Sequence, residues 1–340
     1  VHLDQSAAIM RDKLKADPFD VVAFHGLTRI FNRRNHPNIA WWCAQVLAAL
    51  KSGGPKVRKI LESGIDGRIS PERLAESDMD DGLFPQNVPS GFRQVFRILG
   101  ESLTKYYKGD LKAYGVGRSH RLHNTSQEIR HIADDVASGF KLGGYELYRC
   151  DKHPNVMVVE PGDPPMIIVG DALLDGAGSQ ELQFIVTRAM KLIQTRMVIP
   201  AKLPGKDLAV LVAAVVRQYI SDHEVLELDP KALIDTTNKV SKIVSRKNRD
   251  ELMPFAYECS SEGLDFTVTG HFVRQAADRA GLLGSGSVEA ALKVLAKAAG
   301  KKLPQGSADA LIDALRHQEE IEELLRFIPS LGHLGMRNRL

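Results

Sequence analysis

Strand-forming sequence is confined to one short part of the chain, and this limits the possible folds more than any other feature. β-rich runs lie at Glu146–Cys150, 155–160 and 165–169, with a PGDPP turn between the last two. Elsewhere apolar residues recur at helical spacing. After residue 176 the candidate helices are 178–196, 206–221, 230–247, 266–282, 287–299 and 307–328. This order predicts a mostly helical α+β fold with a small antiparallel sheet.

Composition and charge exclude several function classes. The 340 residues are 44% hydrophobic and 26% charged, which is ordinary for a soluble globular protein. A formal net charge of +3 is too small to indicate nucleic acid or an anionic membrane as a partner. The longest apolar run, LAVLVAAVV, is far shorter than the about 20 residues that cross a bilayer. Three widely separated cysteines fit a reducing compartment, so we expect a cytoplasmic protein.

The first seventy or so residues are patterned as helical hairpins with short connections. Each helix has an apolar face, a DP corner follows the first helix, and Ala44 and Ala48 are candidates for burial in the third. This pattern resembles a tetratricopeptide repeat. The match covers about one and a half units, whereas such arrays need roughly three to be stable. We expect either the end of a longer array or a helical cap, and a generic helical bundle fits equally well.

Composition shifts predict four regions. Residues 1–75 are the tetratricopeptide-like hairpins. Residues 76–140 are a linker and connecting helices, because 64–91 is rich in Gly, Pro, Asp and Ser. Residues 141–300 form the α+β domain, and 301–340 a C-terminal helix and tail.

A peptidase-like order of features runs through the α+β domain. The stretch HPNVMVVEPGDPPMIIVGDALLDGAGSQELQFIVTRAMKLI resembles the strand, hairpin, strand and zinc-helix order of the HtpX and CAAX-endopeptidase superfamily. Downstream, GHFVRQAADRAGLL is similar to that family's third-ligand helix, with Ala277, Asp278, Arg279 and Gly281 matching. The resemblance covers roughly residues 140 to 300. It implies a gluzincin-type fold, in which an HExxH helix places two histidines on one face.

The ligand positions of that family hold other residue types here. The resemblance places the first histidine at Arg188, the general-base glutamate at Ala189, the second histidine at Leu192 and the third-ligand glutamate at Arg274. Arginine and leucine do not coordinate metal, and alanine cannot accept a proton. We therefore predict a pseudo-metallopeptidase with no catalytic residue, no metal ligand and no cofactor. Asp278 is expected to pair bidentately with Arg188 and Arg274, unless both arginines extend to solvent.

The alternative hypothesis is an active metal-dependent hydrolase with a non-standard site. His120 and His123 are three residues apart, and with Asp278 they offer a ligand set from outside the expected helix. A surface loop explains these histidines more simply, because no cysteine or carboxylate cluster completes the set.

The predicted function is protein–protein interaction, as in a bacterial scaffold protein whose partner is another protein of unknown identity. Trp41 and Trp42 are adjacent on a predicted helix, so their side chains point about 100° apart. One would pack inside while the other reaches a partner, although core packing of both is the simpler expectation. The basic run 240–251 lacks interleaved aromatic residues, so it predicts a solvated helical face and no nucleic-acid contact.

Overall fold

The N-terminal part of the chain is a series of helices joined by tight turns. The structure is a computed structural model that describes residues 2–123, 127–223, 228–261 and 263–330. It begins with α1 (His2–Ala16), α2 (Val21–Arg33), α3 (Pro37–Ala49) and α4 (Pro55–Leu61). The Asp20 side chain accepts a hydrogen bond from Ala23 N at the start of α2, and proline opens both α3 and α4. Each helix packs against the next, as the hairpin pattern predicts.

The segment predicted to be a linker, 64–91, is packed against the rest of the protein. It contains α5 (Pro71–Leu74), α6 (Ser77–Leu83) and the start of α7 (Ser90–Leu103). The apolar residues along it are buried, namely Ile69, Leu74, Met79, Leu83, Phe84 and Val88. Two short 3₁₀ helices, Leu111–Tyr114 and Arg118–His120, then lead to α8 (Glu128–Gly139).

The three predicted strands form one small sheet. They are β1 (Glu146–Cys150), β2 (Met157–Glu160) and β3 (Met166–Gly170), in the order β1-β3-β2. β2 and β3 are antiparallel, but β1 and β3 are parallel, so the prediction of an antiparallel sheet was wrong for that pair. Successive strands reverse direction, and β3 lies between the other two, which makes it parallel to β1. Sequence periodicity carries no information on this strand order.

Helices follow the sheet to the end of the described chain. They are α9 (Asp171–Leu174), α10 (Ser179–Gln194), α11 (Val198–Lys202), α12 (Gly205–Val216), α13 (Pro230–Ile243), α14 (Arg246–Ser261), α15 (Phe266–Ser285), α16 (Val288–Ala298), α17 (Ala308–Leu315) and α18 (Glu319–Phe327). The fold is thus mostly helical α+β, as predicted. The predicted helix 307–328 is two helices, because His317 between them has a φ of 63°, outside the helical range.

One hydrophobic cluster extends from Ala7 to Ile328, and a smaller one covers the other face of the sheet. The N-terminal helices join the large cluster through α3, which packs on α16. Gln45 of α3 donates to Gly286 O at 2.8 Å and accepts from Val288 N at 2.9 Å. The four regions predicted from composition stay predictions, and the tail 331–340 lies outside the described residues. Within the described ranges, no helix combines the length and apolar character that crossing a bilayer requires.

Candidate functional site

All five positions predicted from the peptidase resemblance lie on two helices that pack directly against each other, α10 and α15. Glycines on α15 allow a close approach. A Cβ at Gly284 would lie 2.6 Å from Thr187 Cγ2, and one at Gly281 would lie 2.9 Å from Phe184 O. Larger residues at these two positions would force the helices apart. The backbone of α15 is therefore held directly against the α10 segment that carries Arg188, Ala189 and Leu192.

Arg188 and Asp278 form a buried ion pair across this helix contact. Arg188 is 7% exposed and Asp278 is 2% exposed. Arg188 Nε donates to Asp278 Oδ1 at 2.5 Å, and its Nη1 makes a long 3.5 Å contact with Met157 O at the start of β2. The predicted pairing of these two residues is thus present. It links α10, α15 and the edge strand of the sheet.

Arg274 does not complete the predicted bidentate arrangement. Its Nη1 donates to Ala201 O at the end of α11, at 2.8 Å, and it forms no ion pair with Asp278. Within the described chain, Asp278 Oδ2 is buried and has no hydrogen-bond partner. The expectation that both guanidinium groups bind Asp278 was therefore wrong for Arg274, because its guanidinium group donates to a backbone carbonyl of the neighbouring helix α11 instead.

The electrostatics of the site disfavour a further cation. Burial raises the pKa of the Asp278 carboxyl, and the charge of Arg188 offsets only part of that effect. Burial and the like charge of Arg188 lower the pKa of Arg274. The buried Asp278 carboxylate thus pairs with Arg188, and in the described chain the nearby charge of Arg274 acts on it without a hydrogen bond.

Ala189 and Leu192 supply only apolar surface. Both are buried in the large hydrophobic cluster, on the face of α10 that packs into the protein. The zinc that the resemblance implies needs three protein ligands with lone pairs, and these positions offer none. The residues present therefore do not fit a catalytic zinc ion.

The alternative ligand set is not assembled. Among the residues that the structure describes, no three His, Cys, Asp or Glu side chains are grouped as a metal site requires, so His120, His123 and Asp278 do not converge. His120 Nδ1 accepts from Gly117 N at 3.1 Å, and His123 Nδ1 contacts Arg121 O at 3.0 Å. Both histidines are held by local backbone contacts beside the 3₁₀ turn, consistent with a surface loop.

Trp41 and Trp42 both lie inside the protein. They are 7% and 0% exposed, and their rings meet edge to face with centroids 5.3 Å apart. The Trp41 ring occupies the space in which a Cβ of Gly67 would lie. The expectation that one indole reaches a partner was wrong, because the 64–91 segment covers the side of α3 that a bundle of four helices would leave open.

Sequence reasoning missed a second buried cation, Lys191. Its Nζ lies 2.7 Å from Asp80 Oδ1, donates to Leu74 O at 2.7 Å and to Gln194 Oε1 at 2.8 Å. Burial lowers the pKa of Lys191, partly offset by the Asp80 charge. The sequence signal was a lysine between Met190 and Leu192 on an otherwise apolar face. A buried ammonium of this kind needs partners, and α5 and α6 provide them.

A second missed group is the buried carboxylate of Glu160 at the end of β2. It accepts hydrogen bonds from Asp110 N at 2.9 Å, from Tyr114 Oη at 3.0 Å and from Lys202 Nζ. Burial and the Glu160 charge raise the pKa of Tyr114 to about 12. These contacts connect the sheet to α11, so their clearest role is to position that helix.

Comparison with known proteins gave no match to the chain from family models, from curated proteins or from solved structures. The peptidase and tetratricopeptide resemblances therefore stay predictions that rest on residue pattern.

Proposed function

We propose that the protein is non-catalytic and acts through contacts with another protein, on a fold derived from a zinc metallopeptidase. The observation that carries the proposal is the Arg188–Asp278 pair between α10 and α15. The resemblance places a zinc ion between these two helices. In its place the Arg188 guanidinium group is hydrogen-bonded to Asp278, the one carboxylate that the family pattern retains, while Arg274 donates to a backbone carbonyl of α11.

Exposed apolar side chains support an interaction role for the N-terminal helices. Ile9 of α1 is 56% exposed and Val22 of α2 is 68% exposed, while the opposite faces of both helices are buried in the core. α1 and α2 pack against each other, so these side chains belong to one two-helix unit. Large exposed aliphatic residues on neighbouring helices favour binding to another apolar surface.

A rebuilt zinc site tests the assignment of ligand positions. We expect the variant Arg188→His, Ala189→Glu, Leu192→His, Arg274→Glu to bind one Zn²⁺ per chain in a calorimetric titration. The matched control carries glutamine at residues 188, 192 and 274, and we expect no zinc binding from it. If the rebuilt chain keeps its helical circular dichroism but binds zinc no better than the control, the ligand positions are wrong. Should the full variant fail to fold, the pair Arg188→His, Leu192→His with Co²⁺ absorption gives the same comparison.

A capture experiment with the full chain tests the interaction role. We expect Ile9→Glu combined with Val22→Glu to abolish recovery of a specific partner from an extract of the source cells. The control is Ile234→Glu on α13, where Ile234 is 55% exposed. It should leave recovery unchanged. Identical recovery by all three chains, or loss only with the α13 variant, would contradict an N-terminal interaction surface.

A further inference from the structure

A cavity of about 530 Å³ lies where the two ends of the described chain meet. Its walls come from α1, from the end of α6 and the loop after it, from α15, and from α18 with the residues that follow. Leu14, Phe84 and Phe327 provide apolar surface. The volume is within the range of about 300–1,000 Å³ that small-molecule sites occupy.

Two arginines on the cavity wall lack a carboxylate partner. Arg11 Nε donates to Pro329 O at 3.1 Å, and Arg279 Nη1 donates to Leu83 O at 2.9 Å. The Arg279 guanidinium also lies 4.7 Å from the centroid of the Phe327 ring. In the part of the chain that the structure describes, no carboxylate oxygen lies within 4.0 Å of either guanidinium.

The other charged residues of the wall are already neutralised. Each forms an ion pair with a nearby side chain, in the pairs Lys15–Asp12, Arg93–Asp81, Arg326–Glu322 and Arg326–Glu323. Because Arg326 pairs with two glutamates, these pairs carry one more negative than positive charge, so with Arg11 and Arg279 included the positive charges exceed the negative ones by one. Within the described chain neither Arg11 nor Arg279 has a hydrogen-bonded carboxylate, although, against the larger effect of burial, the Glu323 charge raises the pKa of Arg279 and the Asp4 charge raises that of Arg11.

Burial makes the charges of Arg11 and Arg279 costly. It lowers the pKa of Arg279 to about 10 and also lowers the pKa of Arg11. Both side chains still carry their charge at neutral pH. Arg279 Nε is buried and, among the described residues, has no acceptor. An anion beside the two guanidinium groups would lower the free energy of both.

We propose that this cavity binds a small organic oxyanion, a phosphate ester or a carboxylate with an apolar body, through Arg11 and Arg279. Guanidinium groups bind such anions through paired, charge-assisted hydrogen bonds. The aromatic and aliphatic walls would contact the rest of the ligand. Anion binding here does not require the proposed interaction role, although Arg279 lies on α15 next to Asp278.

Calorimetric titration of the full chain with phenyl phosphate, benzoate and phenol tests the site. We expect saturable binding of at least one of the two anions and none of neutral phenol. Arg11→Gln and Arg279→Lys should each weaken that binding by roughly tenfold or more. The first removes a positive charge, and the second keeps the charge but loses the planar guanidinium group. The control Arg316→Gln alters an arginine that also lies over a ring, 5.4 Å from the Phe19 centroid, but outside the cavity. It should leave the affinity unchanged.

The outcomes separate the possible ligands. Tighter binding of phenyl phosphate assigns the site to phosphate esters, and tighter binding of benzoate assigns it to carboxylates. Absence of saturable binding by both anions overturns the proposal, as does binding that neither cavity variant weakens or that phenol matches. Arg11 is only half-buried, so we expect Arg11→Gln to fold like the wild type. It therefore still tests the site if Arg279→Lys lowers the melting temperature of the protein.

Discussion

Asp278 lies inside the protein with one carboxylate oxygen bonded to Arg188 and the other without a hydrogen bond in the described structure. Removing one member of such a buried pair costs more than replacing both with apolar residues, because the remaining group keeps its desolvation penalty. The pair therefore need not add much to the net stability of the fold. Its main consequence is that each residue needs the other, because removing either one leaves its partner buried without that hydrogen bond.

This dependence predicts a non-additive mutant cycle. Arg188→Met and Asp278→Leu should each lower the free energy of unfolding by about 3–5 kcal/mol, because each leaves one buried polar group without its partner. The double variant should be more stable than either single variant. Urea denaturation followed by circular dichroism gives the three values. Additive losses would show that the two side chains do not depend on each other.

The pKa of Asp278 predicts how the stability depends on pH. Burial raises the pKa of the folded carboxyl above its unfolded value of about 3.9, so the folded state binds the proton more tightly. The unfolding free energy of the wild type, relative to Asp278→Asn, should therefore fall as the pH rises from about 3.9 towards the folded pKa. Urea midpoints of both chains across this window measure the difference. A relative stability that increases with pH would mean that Arg188 lowers the pKa more than burial raises it.

The presence of charge at this site was predictable from sequence, but its geometry was not. Arginine at 188 and aspartate at 278 were expected to pair because each needed a partner in an apolar setting. The choice of Ala201 O as the acceptor for Arg274 depends on where α11 ends relative to α15. No pattern in the sequence predicts the distance between the end of α11 and Arg274 on α15.

At the scale of elements, the contact between α10 and α15 is set by small residues. Gly281 and Gly284 leave no room for a side chain against α10. The positions of α10, α12, α13, α15 and α16 followed from apolar spacing, but α14 was not predicted. The basic run 240–251, predicted to be one helical face, spans the break between α13 and α14. The parallel β1–β3 pair was not predicted, because strand order depends on packing between segments distant in sequence. The break between α17 and α18 was not predicted either, because apolar spacing does not reveal the positive φ of His317.

Gly284→Ala tests this helix contact. The added methyl group would lie 2.6 Å from Thr187 Cγ2, so we expect a loss of about 1–3 kcal/mol in unfolding free energy. The matched control is Gly143→Ala in the loop before β1, where no atom lies within 4 Å of the added Cβ and φ lies outside the left-handed region. Thermal unfolding of both variants should show destabilisation in the first only. Equal melting temperatures would contradict the close packing of α10 and α15.

The contacts of Lys191 with Leu74 and Asp80 hold the 64–91 segment against α10. Lys191→Met removes the donor to Leu74 O and the charge beside Asp80, so a loss of about 3–5 kcal/mol is expected. Lys293→Met is the control, because the Lys293–Glu289 pair is exposed and such pairs contribute about 0–1 kcal/mol. Hydrogen exchange should increase in α5 and α6 in the first variant. Unchanged exchange there would mean that apolar contacts alone hold the segment.

At the scale of the whole molecule, the N-terminal helices, the sheet and the later helices share one large hydrophobic cluster. Contacts of α3 with α16 and of the 64–91 segment with α10 connect regions that composition had separated. Residue pattern could locate the helices and strands, but it could not show that a Gly- and Pro-rich segment would cover Trp41. Burial of Trp41 by this segment depends on how distant parts of the chain pack together.

The α10–α15 contact holds the fixed positive charge of Arg188 where the resemblance implies a zinc ion. The most direct measurement is the zinc content of the full chain after purification without chelators and equilibration with micromolar Zn²⁺. We predict much less than one zinc ion per chain, with no change on Asp278→Asn. One tightly bound zinc ion per chain that is lost in His120→Ala or Asp278→Asn would contradict the claim and favour the metal-dependent hydrolase.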